Sequence, residues 1–98
     1  MAIGYARALS EFDSFLPEII NGLRDDDLLI ITADHGCDPG DISTDHTREY
    51  VPLLIYKNNI RSKGLGTLSS FSVIASTIAE YLNVCFRSEA PSILNEIL

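Results

Sequence analysis

Basic residues are scarce in this 98-residue chain, where 7 Lys and Arg face 14 Asp and Glu for a formal net charge of −7. No basic patch is available to offset phosphate repulsion, so an electrostatic nucleic-acid binder is excluded as an expectation. Cysteine is scarce too. Cys37 and Cys85 form neither a disulfide framework nor a CxxC motif, so a reducing compartment is the expected one. Long apolar runs are missing, whereas a bilayer span needs roughly 20 residues. Met1 to Ser10 has no apolar stretch behind basic residues, so no signal peptide is predicted there. These absences predict a soluble, cytoplasmic protein without membrane or nucleic-acid partners. Internal repeats, low-complexity tracts and linkers are also lacking. What is present is 46% hydrophobic and 21% charged, the balance of a globular chain with at most one small domain.

Apolar residues from Gly4 to Leu23 fall at Tyr5, Leu9, Phe12, Leu16, Ile19, Ile20 and Leu23. Steps of three and four place them on one helical stripe. Pro17 removes a backbone donor, which predicts a kink or two abutting helices. Asp25-Asp26-Asp27 ends the pattern. Leu28–Thr32 is a continuous apolar run, the mark of a strand covered on both faces. Asp34–Tyr50 is polar and carries Gly36, Pro39 and Gly40, so it reads as a loop. Val51–Tyr56 predicts a second buried strand with Pro52 confined to its start. Ser69 or Ser70 can cap a helix whose buried face would be Phe71, Ile74, Ala75, Ile78 and Leu82, with Asn83 as terminator. A short last helix near Pro91 would present Ile93, Leu94, Ile97 and Leu98. Two strands cannot bury both faces and both edges of such runs. The chain therefore either self-associates or is one piece of a larger sheet.

The chemistry-bearing residues cluster where the first strand ends. In open α/β sheets ligands gather outside the carboxyl ends of strands, and Asp34-His35-Gly36 stands there. Neighbouring side chains on a regular strand point to opposite faces, so a shared ion requires the chain to leave the pleat, which Gly36 permits. A carboxylate oxygen and an imidazole nitrogen suit Mn²⁺, Zn²⁺ or Fe²⁺. His46, the other histidine, follows in the same loop behind Asp45. If both ends of that loop meet one metal centre, the two strands run antiparallel. The competing reading makes Asp34 an acceptor of loop backbone hydrogen bonds and His46 an exposed loop residue. Asp45 reads as a carboxylate that orients an imidazole or is solvated. Asp38 and Asp41 read as solvated acids, Arg48 as a salt-bridge partner, and Cys37 as a spectator thiol.

Two longer strings sharpen this. Leu29-Ile30-Ile31-Thr32-Ala33-Asp34-His35-Gly36-Cys37-Asp38-Pro39 and Ser43-Thr44-Asp45-His46-Thr47-Arg48-Glu49-Tyr50-Val51-Pro52-Leu53-Leu54 resemble phosphopentomutase. The Asp-His-Gly triplet belongs to the wider alkaline-phosphatase-like superfamily, while the second string is more specific. Gly4-Tyr5-Ala6 and Glu11-Phe12-Asp13 are similar to the helix preceding this strand in that family.

The resemblance implies an isomerase of nucleoside salvage that interconverts ribose 1-phosphate and ribose 5-phosphate, and their deoxy equivalents. It implies two Mn²⁺ ions, with Zn²⁺ the alternative, and a phosphorylated threonine. Asp34 and His35 would serve the ion that contacts the nucleophile, and His46 the other. It implies an α/β fold, a partial alkaline-phosphatase-like core with strands flanked by helices, incomplete without the rest of the sheet. Residues 1–98 would be a single domain, the C-terminal part of the metal-binding core, without the cap domain. No threonine here matches the family's nucleophile, and Cys37 replaces an asparagine usual after the triplet. A phosphorylated pentose is the implied substrate of the full-length enzyme, and the chain alone is expected to be inactive. Its expected partners are itself or the missing N-terminal portion, through exposed strand edges. A non-catalytic metal-binding or interaction module and another superfamily activity, phosphoglycerate mutase or phosphatase, are the alternatives.

Overall fold

The computed structural model describes residues 2–35, 50–68, 70–86 and 90–98. Its elements are α1 (Ala2–Asn21), β1 (Leu29–Thr32), β2 (Leu53–Tyr56), α2 (Ser72–Tyr81) and α3 (Leu94–Ile97). Together they make an α/β architecture divided into two compact units, Met1–Asn59 and Ile60–Leu98. No described helix is long and apolar enough to cross a membrane.

In the first unit α1 is one unbroken helix through Pro17, so the two abutting helices predicted from that proline do not form. Pro17 has no N–H to offer the carbonyl of Asp13, but the helix tolerates the loss. Gly22 closes α1, its N–H donating to the carbonyls of Glu18 and Ile19 at 3.2 and 3.1 Å. A tight turn then leads to β1. There the Asp27 N–H donates to the Arg24 carbonyl (3.0 Å), and the Arg24 N–H donates to the Asp27 carboxylate (2.8 Å). The acidic cluster is thus partly a turn device, in which Asp27 satisfies a backbone donor.

β1 and β2 pair antiparallel in a two-stranded sheet, with Leu29 opposite Tyr56, Ile30 opposite Ile55, Ile31 opposite Leu54 and Thr32 opposite Leu53. Opposed residues share a face, so Leu29, Ile31, Leu54 and Tyr56 lie on one side and Ile30, Thr32, Leu53 and Ile55 on the other. β2 starts one residue after Pro52, which has no N–H for the ladder. The far end of the hairpin is tied by Asn58. Its amide donates to the Leu23 carbonyl (3.2 Å) and to Asp25 Oδ1 (3.3 Å).

Among the described residues neither face of this pair is fully covered. Leu28 to Ile31 are half-buried, and Thr32 and Leu54 are exposed. Complete cover of β1, expected from its unbroken apolar run, is absent because two strands and one helix supply no second layer. The stripe on α1 tells the same story. Leu16 and Ile20 are half-buried, but Tyr5, Leu9, Phe12 and Ile19 are exposed.

The second unit holds the fully buried apolar side chains found among the described residues: Val73 of α2, with Ile93 and Ile97 at α3. Thr77, only 1% exposed, sits one turn after Val73. This corrects the predicted face of α2. Phe71, Ala75, Ile78 and Leu82 are exposed and Ile74 is half-buried. The short α3 packs on the Val73/Thr77 side, leaving the more apolar stripe outward. The N-cap of α2 is Phe71, which makes no side-chain capping bond, so the predicted serine cap is not formed there; Ser70, one residue earlier, still accepts the Ser72 N–H at 3.1 Å, and Ser69 lies outside the described residues. The end of α2 is a Schellman turn. Val84 N–H donates to the Ala79 carbonyl (2.8 Å), and Asn83 N–H to the Glu80 carbonyl (3.1 Å). Asn83 takes φ 57°, the left-handed conformation this turn requires and asparagine tolerates.

Candidate metal centre

The antiparallel register decides where the loop between the strands begins and ends. With Thr32 opposite Leu53, the chain leaves β1 at Ala33 and returns at Pro52 on the same end of the sheet. Asp34 and His35 therefore stand just beyond the carboxyl end of β1, where the first strand's path opens into the loop. A side chain ties the two strands together at this end. Thr32 Oγ1 donates to the Pro52 carbonyl at 2.7 Å.

Asp34 Oδ1 lies 3.6 Å from His35 Nε2. Consecutive residues of a regular strand would point these groups apart, so the backbone has left the pleat at Asp34. The Asp34 side chain is 92% exposed and that of His35 40%, which leaves both within reach of a solvated cation. As an exposed contact in water, it adds little to stability. As a donor set it fits a borderline divalent cation: one hard oxygen beside one imidazole nitrogen. Two ligands held roughly 2.0–2.2 Å from one ion stand roughly 3–3.5 Å apart, close to the spacing observed.

His46, the third predicted ligand, lies outside the described residues, as do Gly36, Cys37, Asp38, Asp41, Asp45 and Arg48. Among the described residues no group of three or more His, Cys, Asp or Glu converges as a metal cage. The structure thus brings Asp34 and His35 together, and no described histidine or acid joins them.

A family model described as the metalloenzyme superfamily matches residues 1–85, most of the chain. The chain belongs to the metalloenzyme superfamily. Within it, the chain is similar to proteins named phosphopentomutase. It is 56% identical over 96 residues to that of Acetivibrio thermocellus, covering 97% of this chain and 25% of the relative. The Lachnoclostridium phytofermentans protein is 50% identical with the same two coverages. That of Carboxydothermus hydrogenoformans is 59% identical over 81% of this chain and 21% of its own length. The chain thus spans about a quarter of the length of the curated relatives it matches. Membership of a metalloenzyme superfamily implies metal-ion binding. The α/β architecture is that expected of a partial alkaline-phosphatase-like core.

Two features of the first unit escaped sequence reasoning, one beside the candidate site and one at the far end of the strand pair. The Thr32–Pro52 bond had a signal available: a hydroxyl at a strand's last position and a proline just before its partner strand. The Asn58 tie had none, since its acceptors lie 35 and 33 residues away in sequence.

Proposed function

We propose that residues 1–98 form part of the metal-binding core of a phosphopentomutase-type isomerase, contributing no part of its cap domain. On this reading the complete enzyme moves phosphate between the C1 and C5 oxygens of ribose or deoxyribose, in cytoplasmic nucleoside salvage. The observation that carries the reading is the placement of Asp34 and His35 beyond the carboxyl end of β1, carboxylate and imidazole 3.6 Å apart.

Asp34, His35 and His46 are the residues proposed to hold Mn²⁺, with Zn²⁺ the alternative that the same donors admit. A bound divalent cation would draw charge from phosphoryl oxygens during the transfer. The chain's own contribution is positional. Asp34 brings negative charge to the site and His35 a nitrogen donor, and β1 carries both as a unit. The exposed faces of the strands and the outward stripe of α1 are the surfaces through which the remainder of the core, or a second copy, would be engaged.

The chain by itself is expected to show no mutase turnover. The test incubates the purified 98-residue protein with ribose 1-phosphate, Mn²⁺ and a sugar bisphosphate activator and follows ribose 5-phosphate. In parallel, Mn²⁺ binding is titrated. Binding without turnover agrees with the proposal. Turnover by the chain alone contradicts its assignment as a part of the core, and failure to bind Mn²⁺ or Zn²⁺ contradicts the ligand assignment. Metal binding that is unaltered by the His35→Ala substitution would favour a metal-binding module built on other residues.

A further inference from the structure

We propose that Thr32 is a positioning residue for Asp34 and His35, its hydroxyl tying the end of β1 to Pro52 so that the two groups are presented as a pre-set pair. The proposal rests on Asp34 and His35 being ligands, as read above.

Three observations lead to it. Thr32 is the last residue of β1, and only Ala33 separates it from Asp34. Its hydroxyl donates to the Pro52 carbonyl at 2.7 Å, joining the two arms of the loop across 20 positions of sequence. Pro52 has no N–H, so the ladder beyond the Thr32–Leu53 pair cannot use a donor from that residue. A side-chain bond therefore closes the sheet where the backbone ladder runs short of donors.

The bond is exposed, so its effect on global stability is small. Its location makes the local effect larger. Without it, the strand pair frays from the Thr32–Leu53 end, and Asp34 and His35 move with the fraying segment. Binding an ion would then also have to order that backbone, and ordering on binding subtracts from affinity.

The experiment titrates Mn²⁺ into the 98-residue chain, reading free hexa-aqua Mn²⁺ by electron paramagnetic resonance. It compares wild type with Thr32→Val, Thr32→Ser, Thr32→Ala and His35→Ala. Valine keeps the branched shape and removes the hydroxyl, so Thr32→Val is expected to weaken binding about three- to tenfold, the scale of one hydrogen bond. Thr32→Ser keeps the hydroxyl and is expected to stay within about twofold of wild type. Thr32→Ala against Thr32→Ser isolates the hydroxyl a second time, should the valine variant fail to fold. Amide exchange in Thr32→Val is expected to quicken at Ile31 and Ala33 and to stay unchanged at Tyr56.

Equal affinity of Thr32→Val and wild type, with His35→Ala still weakened, overturns the positioning role and leaves the ligand assignment standing. A serine variant as weak as the valine one overturns it too, because the methyl rather than the hydroxyl would then matter. Wild type that binds no Mn²⁺ removes the ligand assignment itself, and the positioning role falls with it.

Discussion

Thr77 is the residue on which the second unit is most exposed to a single change. Its side chain is 1% exposed, and its hydroxyl makes two hydrogen bonds at once. It donates to the Val73 carbonyl one turn back (2.7 Å) and accepts the Ile93 N–H that leads into α3 (3.1 Å). Thr77→Val keeps the branched shape and the helix propensity but removes both bonds. The Val73 carbonyl loses only a second donor. The Ile93 N–H is left buried without that acceptor, at a cost of about 1–3 kcal/mol. Burying a methyl group in place of the hydroxyl returns up to about 0.8 kcal/mol. The net loss is about 1–2 kcal/mol. Urea unfolding measures it. With a slope near 1 kcal/mol per molar for so small a fold, the midpoint is expected to fall by about 1–2 M. Amide protection across α2 and α3 is expected to drop by about five- to thirtyfold over the same range of free energy. Thr77→Ser, which retains both bonds and removes only the methyl, is the control that separates hydroxyl from packing. A Thr77→Val protein as stable as wild type would refute the reasoning, because the hydroxyl would then not be what joins the two helices.

Three further outcomes are expected. His35→Ala should weaken Mn²⁺ binding by more than about tenfold, a larger loss than any Thr32 variant, read in the same titration. Phe12→Ala should change the stability of the isolated chain by no more than about 0.5 kcal/mol in urea unfolding, because the side chain is already 47% exposed. A cost of about 3–5 kcal/mol would show instead that the α1 stripe is covered in solution. Asn83→Val should lower stability by about 1–2 kcal/mol, because a β-branched residue resists the φ of 57° at the end of α2, while Asn83→Gly should be neutral or better. Thermal melting followed by circular dichroism at 222 nm separates the two.

Much of the fold was legible because its signals are local. The three-four spacing from Tyr5 to Ile20 placed α1, and the runs around Ile30 and Leu54 placed both strands within a few residues. Asn83 marked the end of α2 through tolerance of the left-handed region, while Ser70 stands one residue before the actual N-cap, Phe71. What local pattern could not supply was the direction of burial. The stripe Phe71, Ala75, Ile78 and Leu82 is the more apolar face of α2. Yet Val73 and Thr77 are the buried pair, since burial depends on which surface α3 reaches. The same limit applies to β1, whose unbroken apolar run states what the strand requires rather than what this chain provides.

The site was legible in a different sense, through residue chemistry joined to direction. Asp34 and His35 are adjacent in sequence, but a regular strand would point them apart; what folding adds is the departure from the pleat just beyond β1 that brings the carboxylate within 3.6 Å of the imidazole. The antiparallel direction was inferred from two histidines placed in one loop rather than from any strand propensity. The antiparallel pairing is the direction that inference expected, and it brings the chain back to the end of the sheet that it left. Thr32 and Pro52 meet at that point with a single hydrogen bond. On the reading proposed for Asp34 and His35, a two-stranded sheet with half-buried faces has little rigidity to lend, so the positioning proposed for the Thr32 hydroxyl would weigh more than in a fully buried sheet.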